Sequence, residues 1–344
     1  MNRRRSLAAT LALLSVAGTA LAAWTGLAGA SGNGGSLTGA GSTFVQPLVS
    51  KWSTVYHASK VNYSGIGSGG GIAAISSRTV DFGASDAPLS PDQFSACHGC
   101  VQIPWAFSAT SIPYNVSGVG YGLKLTGPIL ANIYLGKITR WNDSRIKKIN
   151  PKVKLPNEKI TPIFRSDGSG TSYNFTDYLS RVSKTWKGKI GKSTQPNFPA
   201  GVGARGSSGV AGLLGRTPGG ITYVDVAYAL KNGYRIAKIQ NRAGRFQLPG
   251  IIQIRAAAAA LKRVTRKDNA VSLVNPGRSQ GRAYPICTFT WVILPLKTGK
   301  APELKKFVDW AVTKGQAYGP KLRFVEIPRP VKKAARRTLA RIHA

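Results

Sequence analysis

The sequence predicts a folded α/β protein of two domains, and three observations carry that reading. Its 344 residues suit two domains of ordinary size. A content of 42% hydrophobic residues beside 40 glycines and 20 prolines belongs to a chain with cores to bury. Four times along the chain, a tight glycine-rich turn opens into apolar residues at helical spacing, as α/β proteins do repeatedly.

The first element is a leader. MNRRRSLAATLALLSVAGTALAA has a short basic start, an apolar run from Leu7 to about Leu21, and small-x-small triplets at 20–22 and 28–30. This is the layout of a secretory signal peptide over residues 1–30, cleaved after Ala22 or Ala30. The run is shorter than the about 20 residues that span a bilayer, which weighs against a membrane anchor. No cysteine stands near either cleavage point to carry a lipid, and Arg3-Arg4-Arg5 leaves a twin-arginine route open.

The four turns follow. GAGSTFVQPLVSKW (39–52) sets Ser42 and Thr43 as capping hydroxyls before Phe44, Leu48, Val49 and Trp52. VNYSGIGSGGGIAAISS (61–77) reads as a strand, a glycine turn around Ser68 and a helix bearing Ile72 and Ile75. RSDGSGTSYNFTDYLSRV (165–182) repeats this with Phe175 and Leu179, and GARGSSGVAGLLGR (203–216) makes the fourth. The first turn of a helix leaves N–H groups unpaired and carries partial positive charge, and glycine lets a ligand approach the backbone. Serine and threonine there either cap the helix or donate to an anion. Four such turns, one holding Arg165, point to an anion site.

Nucleotide chemistry is disfavoured. A phosphate-binding loop of the GxxxxGK[ST] type needs a lysine that neither DGSGTS nor GIGSGGG supplies. GIGSGGGI is only loosely like a dinucleotide fingerprint, whose acidic partner would fall near Asp86. His57, His98 and His343 are scattered and lack nucleophile motifs around them, which disfavours a histidine-based triad. The CxxC of SACHGC has only His98 nearby and no second pair, too few ligands for zinc. A local Cys97–Cys100 disulfide closing a surface loop is expected, with redox chemistry as the alternative and Cys287 a buried hydrophobe in ICTFTWVIL.

Charge is the extreme global property. Forty-eight Lys and Arg against 12 Asp and Glu give +36, or +33 without Arg3, Arg4 and Arg5. Anionic partners are favoured, and anionic cell-envelope polymers are among them. The basic residues are spread along the chain, unlike the single face or arm of a nucleic-acid binder, so nucleic acid is disfavoured. The C-terminal PRPVKKAARRTLARIHA reads from Pro330 as an amphipathic helix, docked through Val331, Ala334, Ala335, Thr338, Leu339 and Ile342. A polyanion-binding arm is the alternative for that segment.

LTGAGSTFVQPLVSKW, NYSGIGSGGGIAAI, TVDFGASDAPLS, IYLGKITRWND and RSDGSGTSYNFTDYL, followed by PGGITYVDVAYAL, AYPICTFTWVILP and KKFVDWAVTKGQAY, cover nearly all of the chain after the leader. In order and spacing they resemble the PstS family, the phosphate-binding proteins of bacterial high-affinity phosphate ABC transporters. The resemblance implies an α/β, two-lobed periplasmic-binding-protein fold of type II with its ligand in the inter-lobe cleft. It implies one lobe of 31–108 plus 275–344 and another of 109–274. It also implies a phosphate site of Thr43, the Phe44 backbone, Ser68, Asp86, Arg165, Ser169, Gly170 and Thr171, with Asp167 supporting Arg165. No catalysis, metal or cofactor is implied. The implied partners are inorganic phosphate and the permease subunits, and the implied location is periplasmic or cell-wall associated.

The residue types fit that ligand. A phosphate presents mostly acceptor oxygens, so hydroxyls, N–H groups and a guanidinium fork suit it. Asp86 repels an anion unless the ligand brings a proton, as phosphate does near neutral pH and sulfate does not, so Asp86→Ala should improve sulfate binding relative to phosphate. The chain departs from the family pattern at TFVQP, where TFPxP is usual, and at GARGSSGVAG, where the turn often carries Asn-Asp; a ligand role for Ser207 and Ser208 is left open there.

Overall fold

The computed structural model describes residues 35–344; the leader expected over 1–30 lies outside them. A six-stranded sheet runs in the order Val224–Asp225, Cys100–Ser111, Cys287–Pro295, Phe82–Ser85, Ser36–Gly41, Lys60–Gly65. A five-stranded sheet follows Arg235–Ile236, Pro113–Asn115, Gly220–Ile221, Thr161–Arg165, Val202–Ala204. Phe246–Gln247, Lys238–Gln240 and Lys124–Leu125 form a third, smaller sheet. The chain enters the second region after Ser111, touches the first sheet again at Val224–Asp225, and returns to it with Cys287–Pro295. The result is the two-lobed α/β architecture that the resemblance implies.

Parallel pairing places the turns. Ser36–Gly41 lies parallel to both Lys60–Gly65 and Phe82–Ser85, and Thr161–Arg165 lies parallel to Val202–Ala204. Parallel neighbours need crossover connections, here helices, and each helix starts at the carboxyl edge its strand has just left. The helices Gln46–Val55, Ser68–Ser76, Gly170–Val182 and Gly206–Gly215 therefore begin at sheet edges. The first starts later than the sequence suggests. Val45 occupies its N-cap without a side-chain bond, while Ser42 Oγ accepts the N–H groups of Phe44 and Val45 in the preceding turn.

The first lobe is held by the antiparallel pair Cys100–Ser111 and Cys287–Pro295, every residue of which is buried. Around it, Trp52, Trp105, Phe82 and Phe307 meet edge-on or tilted, and Trp52 Nε1 donates to Gly315 O at 2.7 Å. The register of the long pair shifts between Thr290 and Trp291. Such a bulge re-aims a side chain, and Thr290 is turned toward Asp86. In the second region Ile163 and Ile236 pack against Val210 and Leu214 of the helix that starts at Gly206.

The C-terminal helix Arg329–Leu339 is docked, with Val331, Ala334, Ala335, Thr338 and Leu339 buried, and Ile342 beyond it. Its basic face is outside. Cys97 and Cys100 are disulfide-bonded with Cα atoms 5.5 Å apart. His98 and Gly99 are exposed at positive φ, but the two cysteines are buried beside Ile72, Ile75, Leu89 and Ile293. Cys287 is fully buried. Among the described residues no helix is long and apolar enough to cross a membrane.

Candidate functional site

Four helix N-termini meet. Ser68 Oγ, in the first turn of its helix, accepts the N–H of Gly170 from the opposite lobe at 3.0 Å and that of Asp86 at 3.2 Å. Gly69 N–H donates to Gly168 O at 2.8 Å. Thr43 Oγ1 accepts the N–H of Ser207 at 3.1 Å and lies 2.8 Å from Ser207 Oγ. Thr43 is therefore not the helix cap its position suggests but a bridge between lobes.

Glycine is required where the walls touch. A Cβ on Gly170 would lie 2.6 Å from Asp86 N and 2.7 Å from its Cα, and neither backbone can yield as a flexible side chain would. Within the first sheet Gly41, at φ +143°, is required for another reason: a Cβ there would lie 2.1 Å from the Ala84 carbonyl oxygen of the neighbouring strand. We expect Gly170→Ala to hold the lobes apart. It should reduce affinity for the ligand by about 100-fold, the loss of roughly 3 kcal/mol of cross-cleft contacts. Small-angle scattering should show a larger radius of gyration at saturating ligand, and an unchanged radius would refute the steric argument.

Arg165 ends the strand Thr161–Arg165 and is fixed from two sides. Its Nε donates to Asp167 Oδ1 at 2.7 Å and one terminal nitrogen to Oδ2 at 2.5 Å, both side chains being nearly fully buried. Its own N–H donates to Tyr223 Oη, which in turn lies 2.7 Å from Ser172 Oγ. Burial works against the charge on Asp167, but the Arg165 bonds and charge, with the Gly206 N–H at 3.0 Å, outweigh it and hold the carboxyl below the usual range. The fork's second terminal nitrogen forms no hydrogen bond among the described residues.

Asp86 follows Phe82–Ser85 and is 1% exposed. Ser42 Oγ donates to its Oδ1 at 2.5 Å and Thr290 Oγ1 to the same oxygen at 2.8 Å. Burial pushes the Asp86 carboxyl up to about 6, against these two bonds and the charge of Arg165. Asn174 Nδ2 donates to both Asp86 O and Gly170 O at 2.8 Å, fastening the carboxylate's backbone to the facing helix.

The helix Gly170–Val182 contributes two further hydroxyls. Ser169 Oγ accepts Ser172 N–H at 3.1 Å, so it caps its helix while keeping its own proton to donate. Thr171 Oγ1 is buried with no hydrogen-bond partner among the described residues. A buried hydroxyl without a partner is costly. The Phe44 N–H, by contrast, is engaged by Ser42 Oγ at 3.0 Å.

Sequence reasoning missed several groups. Thr290, Asn174 and Tyr223 hold site residues, Asp225 adds a second buried carboxyl, and Ser207, whose role the sequence leaves open, bonds Thr43. Burial pushes Asp225 well above the usual range, opposed by the Ala227 N–H and reinforced by the charge of Asp86. A signal existed for two of them: Thr288 and Thr290 interrupt an apolar strand at period two, and Asp225 interrupts the apolar run YVDVAY.

Two lobes of α/β structure meeting through helix N-termini define a solute-binding protein, and a family model described as a PBP superfamily domain matches residues 28–314. The chain is 40% identical over 299 residues to "Phosphate-binding protein PstS" of Xylella fastidiosa (strain Temecula1), covering 85% of this chain and 81% of that protein. It is 38% identical over 304 residues to the protein of the same name from Pasteurella multocida (strain Pm70), covering 86% and 87%. The chain belongs to the PstS family of phosphate-binding proteins, which bind solutes and are not enzymes. Its fold is similar to that of PfluDING, described as a high affinity periplasmic phosphate-binding protein bound with phosphate, with a TM-score of 0.71 and 22% identity over 88% of this chain and 93% of that one.

Proposed function

We propose that this chain captures inorganic phosphate outside the membrane with high affinity and delivers it to the permease subunits of an ABC transporter. The observation that carries the reading is the placing of Asp86: a buried carboxylate beside Arg165, with both hydroxyl bonds on Oδ1. Its Oδ2 is the acceptor offered to a proton on the ligand. Arg165 and the hydroxyls of Thr43, Ser68, Ser169 and Thr171 donate to the remaining oxygens, the N–H groups of Phe44 and Gly170 exchange Ser42 Oγ and Ser68 Oγ for the ligand when it binds, and Asp167 keeps the guanidinium aligned.

At roughly 1.5 to 3 kcal/mol for each charge-assisted bond, a few such donors reach the about 8 kcal/mol of micromolar binding after ordering costs. In this reading the lobes of 31–108 with 275–344 and of 109–274 close on the anion, and the cross-cleft pairs Gly69–Gly168 and Thr43–Ser207 belong to the closed state. The leader, cleaved after Ala22 or Ala30, exports the chain to the periplasm or cell wall.

Calorimetric titration of the mature protein with phosphate, arsenate and sulfate tests the reading. Phosphate and arsenate, which both carry a proton near neutral pH, should bind with similar affinity, and sulfate about 100-fold more weakly, the cost of one unpaired like-charged contact. Equal affinity for sulfate would remove Asp86 as the basis of selection, and no heat with phosphate would remove the function.

A further inference from the structure

A second cationic recess lies along the other end of the helix that begins at Gly170. That helix, the short helix Lys184–Lys189, the turn at Gly191 and Lys192, and Arg242 and Asn275 from later in the chain enclose a cavity of about 970 Å³. It adjoins a chamber of about 240 Å³, with Asp177, Arg181 and Lys192 lining both and Arg266 lining the smaller.

Its cations are of two kinds. Arg181 and Arg266 are held in place, as Arg165 is. Arg181 Nε and a terminal nitrogen donate to the two oxygens of buried Asp177 at 3.1 and 2.9 Å, and the same nitrogen reaches Ser272 Oγ at 3.3 Å. Arg266 forks onto Asp268 at 2.9 and 2.6 Å. Lys184, Lys187, Lys192 and Arg242 form no ion pair among the described residues. Two oriented forks therefore flank four cations whose charge is not neutralised.

Ser180 and Asn275 add polar side chains to the lining of the larger cavity.

We propose that this groove is a second anion site, distinct from the cleft, that takes a linear chain of condensed phosphates. Its two adjoining chambers, with cations from two helices and from Lys192, Arg242 and Arg266, fit an extended ligand with closely spaced charges better than one compact anion. Single-stranded nucleic acid fits less well, because it uses free aromatic faces for stacking. The ring of Tyr173, which lines the smaller chamber, is instead covered by the Lys192 ammonium at 5.3 Å.

The test is a titration of the mature protein with short-chain sodium polyphosphate at physiological salt, with and without orthophosphate. One chain should bind per protein and survive orthophosphate. Lys184→Gln, Lys187→Gln and Arg242→Gln together should weaken it about tenfold or more, and removal of three equally exposed charges at Lys147, Lys148 and Lys152 by about twofold at most. Equal losses in the two triple variants would reduce the site to general basicity. Displacement by orthophosphate would assign the binding to the cleft, and equal competition by a single-stranded oligonucleotide of matched charge would refute the ligand class. Because the groove is read by polyphosphate alone, a cleft that failed to bind orthophosphate would leave this result intact.

Discussion

Arg165→Ala is expected to weaken phosphate binding about 1000-fold, the loss of roughly 4 kcal/mol from two charge-assisted bonds to the anion. It should also lower stability, because Asp167, buried and among the described residues otherwise paired only with the Gly206 N–H, would keep a charge without its counterion. Breaking such a pair from one side costs about 3 to 5 kcal/mol. The two effects separate in a second variant. Arg165→Met with Asp167→Asn removes both charges, so thermal unfolding should recover most of the lost stability while calorimetry still finds phosphate binding crippled. If the double variant regained phosphate affinity as well, Arg165 would be a structural group and the anion would sit elsewhere. Arg165→Lys should restore charge but not the fork, and so recover only part of the affinity.

What the sequence discloses and what it conceals follow from how far apart the interacting residues lie. Ser68, Arg165, Ser169 and Thr171 stand within turns whose glycines, hydroxyls and following apolar spacing are local, and a reader of single segments meets them as candidates. Their convergence is not local. Ser42 and Thr290 both bond Asp86 Oδ1 from 44 and 204 residues away, and Ser207 reaches Thr43 across 164. No pattern within one segment encodes those pairings; parallel neighbours bring Ser42 and Asp86 to one sheet edge, and Thr290 arrives on an antiparallel strand at its register shift. Thr43 shows the same limit from the other side. A threonine before a helix is locally a cap, and only the opposite lobe makes it a bridge. The lysine-free loop at 165–171 is legible as a candidate anion site because its donors fall within one short stretch, whereas the cations of the second groove come from 181 to 266 and no single segment shows them together.

Asp86→Asn is expected to do two things that a merely structural change would not combine. In the unliganded protein the Asp86 carboxyl is raised from an ordinary value near 4 to about 6 by burial. A carboxyl raised by folding contributes stability that is fully present below its unfolded pKa and is lost as pH rises through the folded one. Stability should therefore fall between about pH 4 and pH 7 by about 3 kcal/mol on this group's account, the cost of two pKa units. Asparagine keeps an acceptor for Ser42 and Thr290 and carries no charge, so the variant should be more stable than the parent at pH 8 and similar to it at pH 4. Asp225 is raised in the same direction and remains, so part of the slope should persist. With ligand, the amide replaces an acceptor by a donor at the position of Oδ2. Sulfate should then compete with phosphate about 100-fold better than in the parent, with little change between pH 5 and 8, as one repulsive contact becomes a hydrogen bond. In the parent, sulfate competition should rise as pH falls through about 6, where the carboxyl itself becomes a donor. Thermal unfolding from pH 4 to 8 reads the stability expectation, and competition calorimetry across pH 5 to 8 reads the sulfate expectations. A parent whose sulfate rejection is flat from pH 5 to 8 would show that Asp86 stays ionised in the complex or does not touch the anion, and a variant that still rejects sulfate would exclude Asp86 as the discriminating group.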